Sequence, residues 1–301
     1  MKILLLGAGG QLGKDIQARC GHHGLDIEAV GHGRCDIASK EQLRAVFGEV
    51  SCHGVINAAA YTKVDQAERD VDAATRVNQD GAGFVAELCC EKGLPLLHVS
   101  TDYVFDGTGA EPYAHDALVG PRSVYGKTKA EGEKKVLGAH PGAAVVRTSW
   151  LFGEHGPNFL KTMVRLAFER EEIRVVSDQV GCPTWSGHLA DALLSMMKQR
   201  LTSEVVAQGV YHYCGAPQSS WYEFADAIIG EVKRLGVGCK VRAVHPITTE
   251  EYPTPAERPR YSVMDCSRIE REFGIRQGDW HEGVDVVVAH QLRELKALKQ
   301  P

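Results

Sequence analysis

The chain has 301 residues, with 34 Lys and Arg against 39 Asp and Glu and a formal net charge of −5. This length makes one large domain or a large and a small one and excludes a small stapled module. Its 44% hydrophobic and 24% charged residues exclude a disordered or fibrous chain. The acidic balance gives no basis for gripping nucleic acid or an anionic membrane.

The longest apolar runs, such as Ile3–Leu6 and Ala143–Val146, fall far short of the roughly 20 residues of a bilayer span, so no membrane segment is expected. The apolar stretch after Lys2 breaks at Gly7 without a small-x-small cleavage site, so the N-terminus reads as mature structure. Nine cysteines, an odd number without CxxC spacing and with Cys89 and Cys90 adjacent, point to reduced thiols and a cytoplasmic location.

In chain order, buried strands are expected at Lys2–Leu6, Asp26–Val30, Gly54–Ala58, Pro95–Ser100 and Ala143–Thr148. Helices are expected between them at Leu12–Cys20, Ser39–Phe47, Ala74–Glu91 and Ser123–Leu137. Right-handed crossovers would stack these strands into an α/β, Rossmann-type doubly wound parallel sheet spanning residues 1–157. From Asn158 the rhythm changes to a helix Asn158–Arg170, a strand Ile173–Val176, a helix Gly187–Lys198, a strand Gly209–Tyr213 and a helix Trp221–Leu235. This pattern predicts a smaller C-terminal α/β domain over 158–301, with room for later segments to return to the first. The segment Glu251–Arg260 holds Pro253, Pro255 and Pro259 and is expected to run extended across this smaller domain.

The first strand runs into Gly7-Ala8-Gly9-Gly10-Gln11-Leu12-Gly13. Gly7, Gly10 and Gly13 have the GxxGxxG spacing, in which absent side chains permit a tight turn and bring backbone N–H groups against a pyrophosphate at a helix N-terminus. Placed after a buried strand, residues Gly7, Gly10, Gln11, Leu12 and Gly13 are expected to bind a dinucleotide rather than form a plain turn. The second strand leads into Gly31-His32-Gly33-Arg34, without the acid that would hold a ribose 2′-hydroxyl. Arg34 instead offers a planar fork for a 2′-phosphate, so NADPH is expected, with NADH the alternative. Asp36 would accept from the adenine amino group, or serve the start of the helix near Ser39.

Tyr125 and Lys129 lie four residues apart in a helical stretch and therefore on one face. A phenol is a weak acid at neutral pH, and an ammonium beside it stabilises the phenolate, so the pair is expected to act as a general acid. The plainer alternative is a surface helix with a half-buried tyrosine. Thr101 stands at the carboxyl end of the fourth strand, where α/β sheets bind ligands.

The glycine loop, Asn57-Ala58-Ala59, the run Ser100–Gly107 and the Tyr125/Lys129 pair together resemble an extended short-chain dehydrogenase/reductase. Further segments are similar to the dTDP-4-dehydrorhamnose reductase family: Ala60-Tyr61-Thr62 with Val64-Asp65, Val146–Trp150, Asn158-Phe159, Asp178-Gln179 with Gly181, Pro183-Thr184, and Tyr252–Pro255 with Arg258-Pro259. The resemblance runs from Met1 to about Trp280. It implies reduction of the 4-keto group of dTDP-4-dehydro-L-rhamnose by NADPH, giving dTDP-L-rhamnose for cell-surface polysaccharide. It implies that Thr101, Tyr125 and Lys129 are catalytic, that Lys129 also holds the nicotinamide ribose, and that Ala58, Ala59 and Ala60 lie beside the cofactor. It also implies that Tyr103 and Trp150 flank the sugar, that Asn158 belongs to the substrate site, and that residues 158–301 bind the sugar nucleotide as a monomer or homodimer.

Some family features are altered. The RPxNS segment reads Arg258-Pro259-Arg260-Tyr261-Ser262, with Tyr261 in place of Asn. Some members use Mg²⁺ at glutamates of a dimer interface, and the matching position is Asp15, so no metal is expected. His22, His23, His53 and His98 have no partner at ligand spacing. Two alternatives use the same scaffold: a sugar-nucleotide 4,6-dehydratase or epimerase, and a non-catalytic NADP-binding subunit like the regulatory β subunit of methionine adenosyltransferase. The dehydratase requires an Asp-Glu pair after the catalytic Thr, where this chain has Asp102 and Tyr103. Retention of Thr101, Tyr125 and Lys129 together stands against the non-catalytic subunit.

Overall fold

The computed structural model describes residues 1–203, 208–236 and 238–297. Residues 204–207, 237 and 298–301 of the expected second domain lie outside them. The first half alternates as expected: β1 (Lys2–Leu6), α1 (Gln11–Arg19), β2 (Asp26–Val30), α2 (Lys40–Glu49), β3 (Gly54–Asn57), the short α3 (Val64–Ala67) and α4 (Val71–Thr75), α5 (Ala82–Glu91), β4 (Leu96–Thr101), α6 (Val124–Ala139) and β5 (Ala144–Thr148). The second half comprises β6 (Leu151–Phe152), α7 (Phe159–Glu169), β7 (Glu172–Val176), β8 (Val180–Gly181), β9 (Thr184–Trp185), α8 (Ser186–Thr202), β10 (Gly209–His212), β11 (Ser219–Ser220), α9 (Trp221–Arg234), β12 (Ala243–Ile247), α10 (Ser267–Phe273) and α11 (Trp280–Ala297).

Six strands form one parallel sheet in the order β10-β5-β4-β3-β1-β2. Alternate residues of each strand face opposite sides, and both sides are covered. Ile3, Leu5, Ile56, Leu97 and Val146 pack with Leu12 and Ile16 of α1 and Leu189, Leu193 and Met196 of α8. On the other side Leu4, Leu6, Val55, Leu96 and Val145 pack with Leu43 and Phe47 of α2, Val85 and Leu88 of α5, and Val136 of α6. Truncating one of these fully buried leucines to alanine costs about 2–5 kcal/mol.

Chain order and architecture part company after residue 157. α8 and β10 belong to the large sheet layer, with β10 in register beside β5 (Tyr211 opposite Val146). The smaller unit is left with α7, α9, α11 and the parallel pair β7/β12, around a core of Phe152, Leu160, Trp185, Phe224 and Trp280.

A second difference concerns the helix expected over 74–91. It is broken by a π-helical turn, Arg76–Gly81. Within that turn Asn78 accepts from Tyr61 N at 2.8 Å, donates to Tyr61 O at 3.1 Å and reaches Thr128 Oγ1 at 3.2 Å. The widened turn lets one side chain tie the loop after β3 to α6, a use to which such turns are commonly put.

Candidate active site

The strands end along one edge, and there β1, β3, β4 and β5 open into a cavity of about 930 Å³. Its floor is the glycine loop. Gly7 has φ +83°, and a Cβ there would meet the backbone of Ala58 and Ala59 at 2.5–2.8 Å. A Cβ on Gly13 would lie 2.4 Å from Gly7 O, so bare glycine lets α1 approach the strand. The N-cap of α1 is Gly10, and no side chain caps the helix, which leaves the first-turn N–H groups unclaimed beside the cavity. Asn57 Oδ1 accepts from Ala59 N at 3.1 Å, while its amide meets His98 Nδ1 at 3.1 Å, fixing the loop that carries Ala58, Ala59 and Ala60. His98 is therefore a core residue, and burial pushes it well below the usual imidazole range.

Thr101, the last residue of β4, donates from Oγ1 to Asp102 Oδ1 at 3.0 Å and accepts from Tyr103 N at 3.2 Å. Tyr125 sits in the first turn of α6, whose N-cap Ser123 accepts from Gly126 N at 3.1 Å. One turn on, Lys129 is 1% exposed and donates from Nζ to Val99 O at 2.7 Å.

The electrostatics correct one expectation. Burial lifts the Tyr125 phenol above its ordinary range, the Thr101 hydroxyl opposes this, and Asp102 and Tyr103 add to it. The ammonium does not pull the phenol down, because it points at the Val99 carbonyl. Burial lowers Lys129 itself to about 8, against the attraction of Glu133. Tyr125 thus holds its proton firmly at neutral pH.

The opposite wall comes from distant segments. The Tyr103 ring meets the Tyr125 ring edge-on at 5.5 Å, and its Oη accepts from Arg258 Nη1 at 3.0 Å. Arg258 Nη2 also donates to Asp65 Oδ2 at 2.7 Å. Trp150 adopts φ +45°, a left-handed conformation that costs a bulky residue about 1–3 kcal/mol. It stacks on Trp221 with centroids 3.6 Å apart and planes 7° from parallel.

Gly7, Gly10, Gln11, Leu12, Gly13, Asp36, Ala58, Ala59, Ala60, Thr101, Tyr103, Tyr125, Lys129, Trp150 and Asn158 all line this cavity. Arg34 stands apart: it is bound by Glu28 Oε1 at 2.7 Å and Glu49 Oε2 at 3.4 Å and is absent from the lining, which His32 joins instead. Asn158 is committed within the fold. It caps α7 by accepting from Lys161 N at 3.0 Å, and it donates to Gln11 Oε1 at 2.7 Å and Gly153 O at 2.8 Å. Asp36 accepts from Ala38 N at 3.0 Å, while Ser39 caps α2.

Sequence reasoning passed over Asp102 as an acting group, as it did Ser100 and Thr148. All three are buried and line the cavity. Ser100 Oγ, Asp102 Oδ2 and Thr148 Oγ1 have no hydrogen-bond partner among the described residues. Buried polar atoms are rarely left unpaired, so this cluster, together with the open α1 N-terminus, fits a polar ligand such as a dinucleotide. Asp15 is buried and accepts from Ser186 Oγ. Among the described residues no group of three or more His, Cys, Asp or Glu is placed to hold a metal ion.

Residues 1–293 match the RmlD substrate binding domain family. The chain is 41% identical over 290 residues to a dTDP-4-dehydrorhamnose reductase of Aggregatibacter actinomycetemcomitans, covering 96% of this chain and 99% of that one. It belongs to the dTDP-4-dehydrorhamnose reductase family. Solved structures agree. A family member from Clostridium acetobutylicum superposes with a TM-score of 0.88 at 37% identity, covering 96% of this chain and 99% of that one. Another from Bacillus anthracis, in complex with NADP, superposes with a TM-score of 0.86 at 37% identity, covering 96% and 98%. The Rossmann-type α/β fold expected from the alternating strands and helices is the fold of these relatives.

Proposed function

We propose that this chain reduces the 4-keto group of dTDP-4-dehydro-L-rhamnose with NADPH, yielding dTDP-L-rhamnose, a precursor of cell-surface polysaccharide. The observation that carries this reading is the presence of Thr101, Tyr125 and Lys129 in the same cavity as the 7–13 loop. NADPH, when bound, supplies the hydride. The pyrophosphate suits the α1 N-terminus and the glycines, with Ala58, Ala59 and Ala60 beside the dinucleotide. Asp36 and His32 serve its adenosine end. Arg34 reaches the 2′-phosphate by leaving its carboxylate partners, a cheap exchange because exposed ion pairs contribute little.

Tyr125 retains its proton at neutral pH and releases it to the carbonyl oxygen as charge develops there. The Thr101 hydroxyl steadies that oxygen, and the Lys129 ammonium holds the nicotinamide ribose. Tyr103 and Trp150 wall the sugar, with aromatic faces against its apolar side and polar tips toward its hydroxyls. Asn158 braces α7 against α1 at the cavity rim. The reading includes no metal. No helix among the described residues is long and apolar enough to cross a membrane, and the reading places the enzyme in the cytoplasm as a monomer or homodimer.

The test is to follow reduced nicotinamide absorbance with a panel of nucleotide 4-keto sugars, with and without a chelator. NADPH oxidation with dTDP-4-dehydro-L-rhamnose, indifferent to the chelator, is the expected result. NADPH binding without turnover of any sugar would make the chain a non-catalytic NADP-binding subunit and sink the proposal.

A further inference from the structure

Asn158 stands just before α7, at the start of the smaller unit, yet its side-chain amide reaches back to Gln11 in the first turn of α1. We propose that Asn158 is a positioning residue for the cofactor: it holds the Gln11 amide so that its N–H side, and not its carbonyl, is offered to the pyrophosphate of NADPH. The inference rests on the reductase reading in taking a dinucleotide as the occupant of the cavity, and it moves Asn158 from the sugar side of the site to the cofactor side.

An amide side chain has an acceptor end and a donor end, and backbone partners fix which is which on Asn158. Lys161 N can only donate, and it meets Asn158 Oδ1 at 3.0 Å. Gly153 O can only accept, and it meets Asn158 Nδ2 at 2.8 Å. Reversing the amide would set carbonyl against carbonyl and N–H against N–H, so the hydrogen-bond network allows one orientation. The second Nδ2 hydrogen points to Gln11 at 2.7 Å, where only an acceptor can receive it. Gln11 therefore presents Oε1 to Asn158. Its NH2 group is left over, without a hydrogen-bond partner among the described residues.

That spare donor stands where an anion is expected. Gln11 follows Gly10, the N-cap that no side chain caps, and both line the cavity with Gly7, Gly9 and Gly13. From the other side Gly156 lines the same cavity, and a Cβ there would touch Gln11 Cβ at 3.9 Å, so the turn before Asn158 packs along the Gln11 stem. A pyrophosphate oxygen accepts hydrogen bonds, so the NH2 end attracts it and a carbonyl end would repel it. Hydrogen bonds to a charged acceptor are the strong ones, and a side chain already held in its bound orientation loses less freedom when the ligand arrives.

The test is a double-mutant cycle on NADP⁺ affinity measured by fluorescence. Gln11→Ala is expected to weaken NADP⁺ about 10-fold. Asn158→Ser keeps the α7 cap but loses the donor to Gln11, and should weaken NADP⁺ about 3-fold. Once Gln11 is alanine, Asn158→Ser should cost nothing further, because the amide that it positions is gone. Asn158→Asp also keeps the cap but inverts the demand: its carboxylate draws the Gln11 N–H to itself, so NADP⁺ should weaken at least about 10-fold, and by clearly less in the Gln11→Ala background. Ser and Asp are both good N-caps, so either variant completes the cycle if the other does not fold. Adenosine 2′-phosphate, which lacks the pyrophosphate, should bind wild type and Asn158→Ser alike. If Asn158 only braces α7, its variants cost NADP⁺ the same factor with and without the Gln11 amide, and that additivity overturns the inference, as does wild-type NADP⁺ affinity in Asn158→Ser. Failure of wild type to bind NADP⁺ at all sinks the reductase reading and this inference with it, whereas NADP⁺ binding with additive variants sinks this inference alone.

Discussion

Thr101, Tyr125 and Lys129 are held by neighbours close in the chain or in the sheet: β4 in register with β5, Ser123 capping α6, and Val99 O under the lysine. Tyr103 and the 251–260 segment on the facing wall are held by Arg258, which reaches Tyr103 across 155 residues and Asp65 across 193. Trp150, in its left-handed conformation, depends on the stack with Trp221. The two walls differ in how they would fail. The first is built into the sheet edge, so on the proposed reading a change there removes chemistry and leaves shape. The second is assembled by clasps between distant segments, so on the same reading a change there loosens the shape around the proposed sugar site and leaves chemistry.

The largest effect should come from Tyr125→Phe, which deletes the proton and keeps the ring edge against Tyr103. kcat is expected to fall at least about 100-fold with NADPH affinity unchanged, and a near-normal rate would remove Tyr125 from the mechanism. Arg258→Ala should divide the two walls. It leaves Asp65 and the Tyr103 hydroxyl without their shared partner, so KM for the sugar nucleotide should rise about 10-fold while kcat changes by less than about 3-fold. Asp65→Asn should act in the same direction and less than additively with Arg258→Ala, because both cut one clasp. A loss confined to kcat in either variant would show that the clasp orients Tyr125 and does not shape the sugar site.

The same division governs what was readable in the residues. The strands, the glycine loop and the Tyr125/Lys129 pair are expressed in spacings of a few residues, and each lies where the pattern put it. Where the outcome depended on residues far apart, the pattern was silent. The strand at 209–212 was visible, but its place at the sheet edge depends on pairing with β5. The π-helical turn exists because Asn78 reaches Tyr61 and Thr128. Asp102 stands beside Thr101 in the sequence, yet only burial by α6 and the segment around Ser262 turns it from an ordinary carboxylate into an acid near 6. The direction of the Lys129 ammonium, set by the Val99 carbonyl, was likewise beyond the reach of a four-residue spacing.

Arg34 gives the smallest expected effect and the finest test of cofactor choice. The residue is 43% exposed in its side chain and shared between Glu28 and Glu49, so a 2′-phosphate competes with two carboxylates for one fork. Water screens both pairs, which keeps the exchange cheap, but it also limits the gain. Arg34→Ala should therefore weaken NADPH by about 5-fold and leave NADH within about 2-fold. Glu28→Gln should shift the balance the other way, freeing the guanidinium and tightening NADPH alone. If Arg34→Ala weakened both cofactors equally, its ion pairs would be organising the loop after β2, and the preference for the phosphorylated form would have to come from His32, which already faces the cavity.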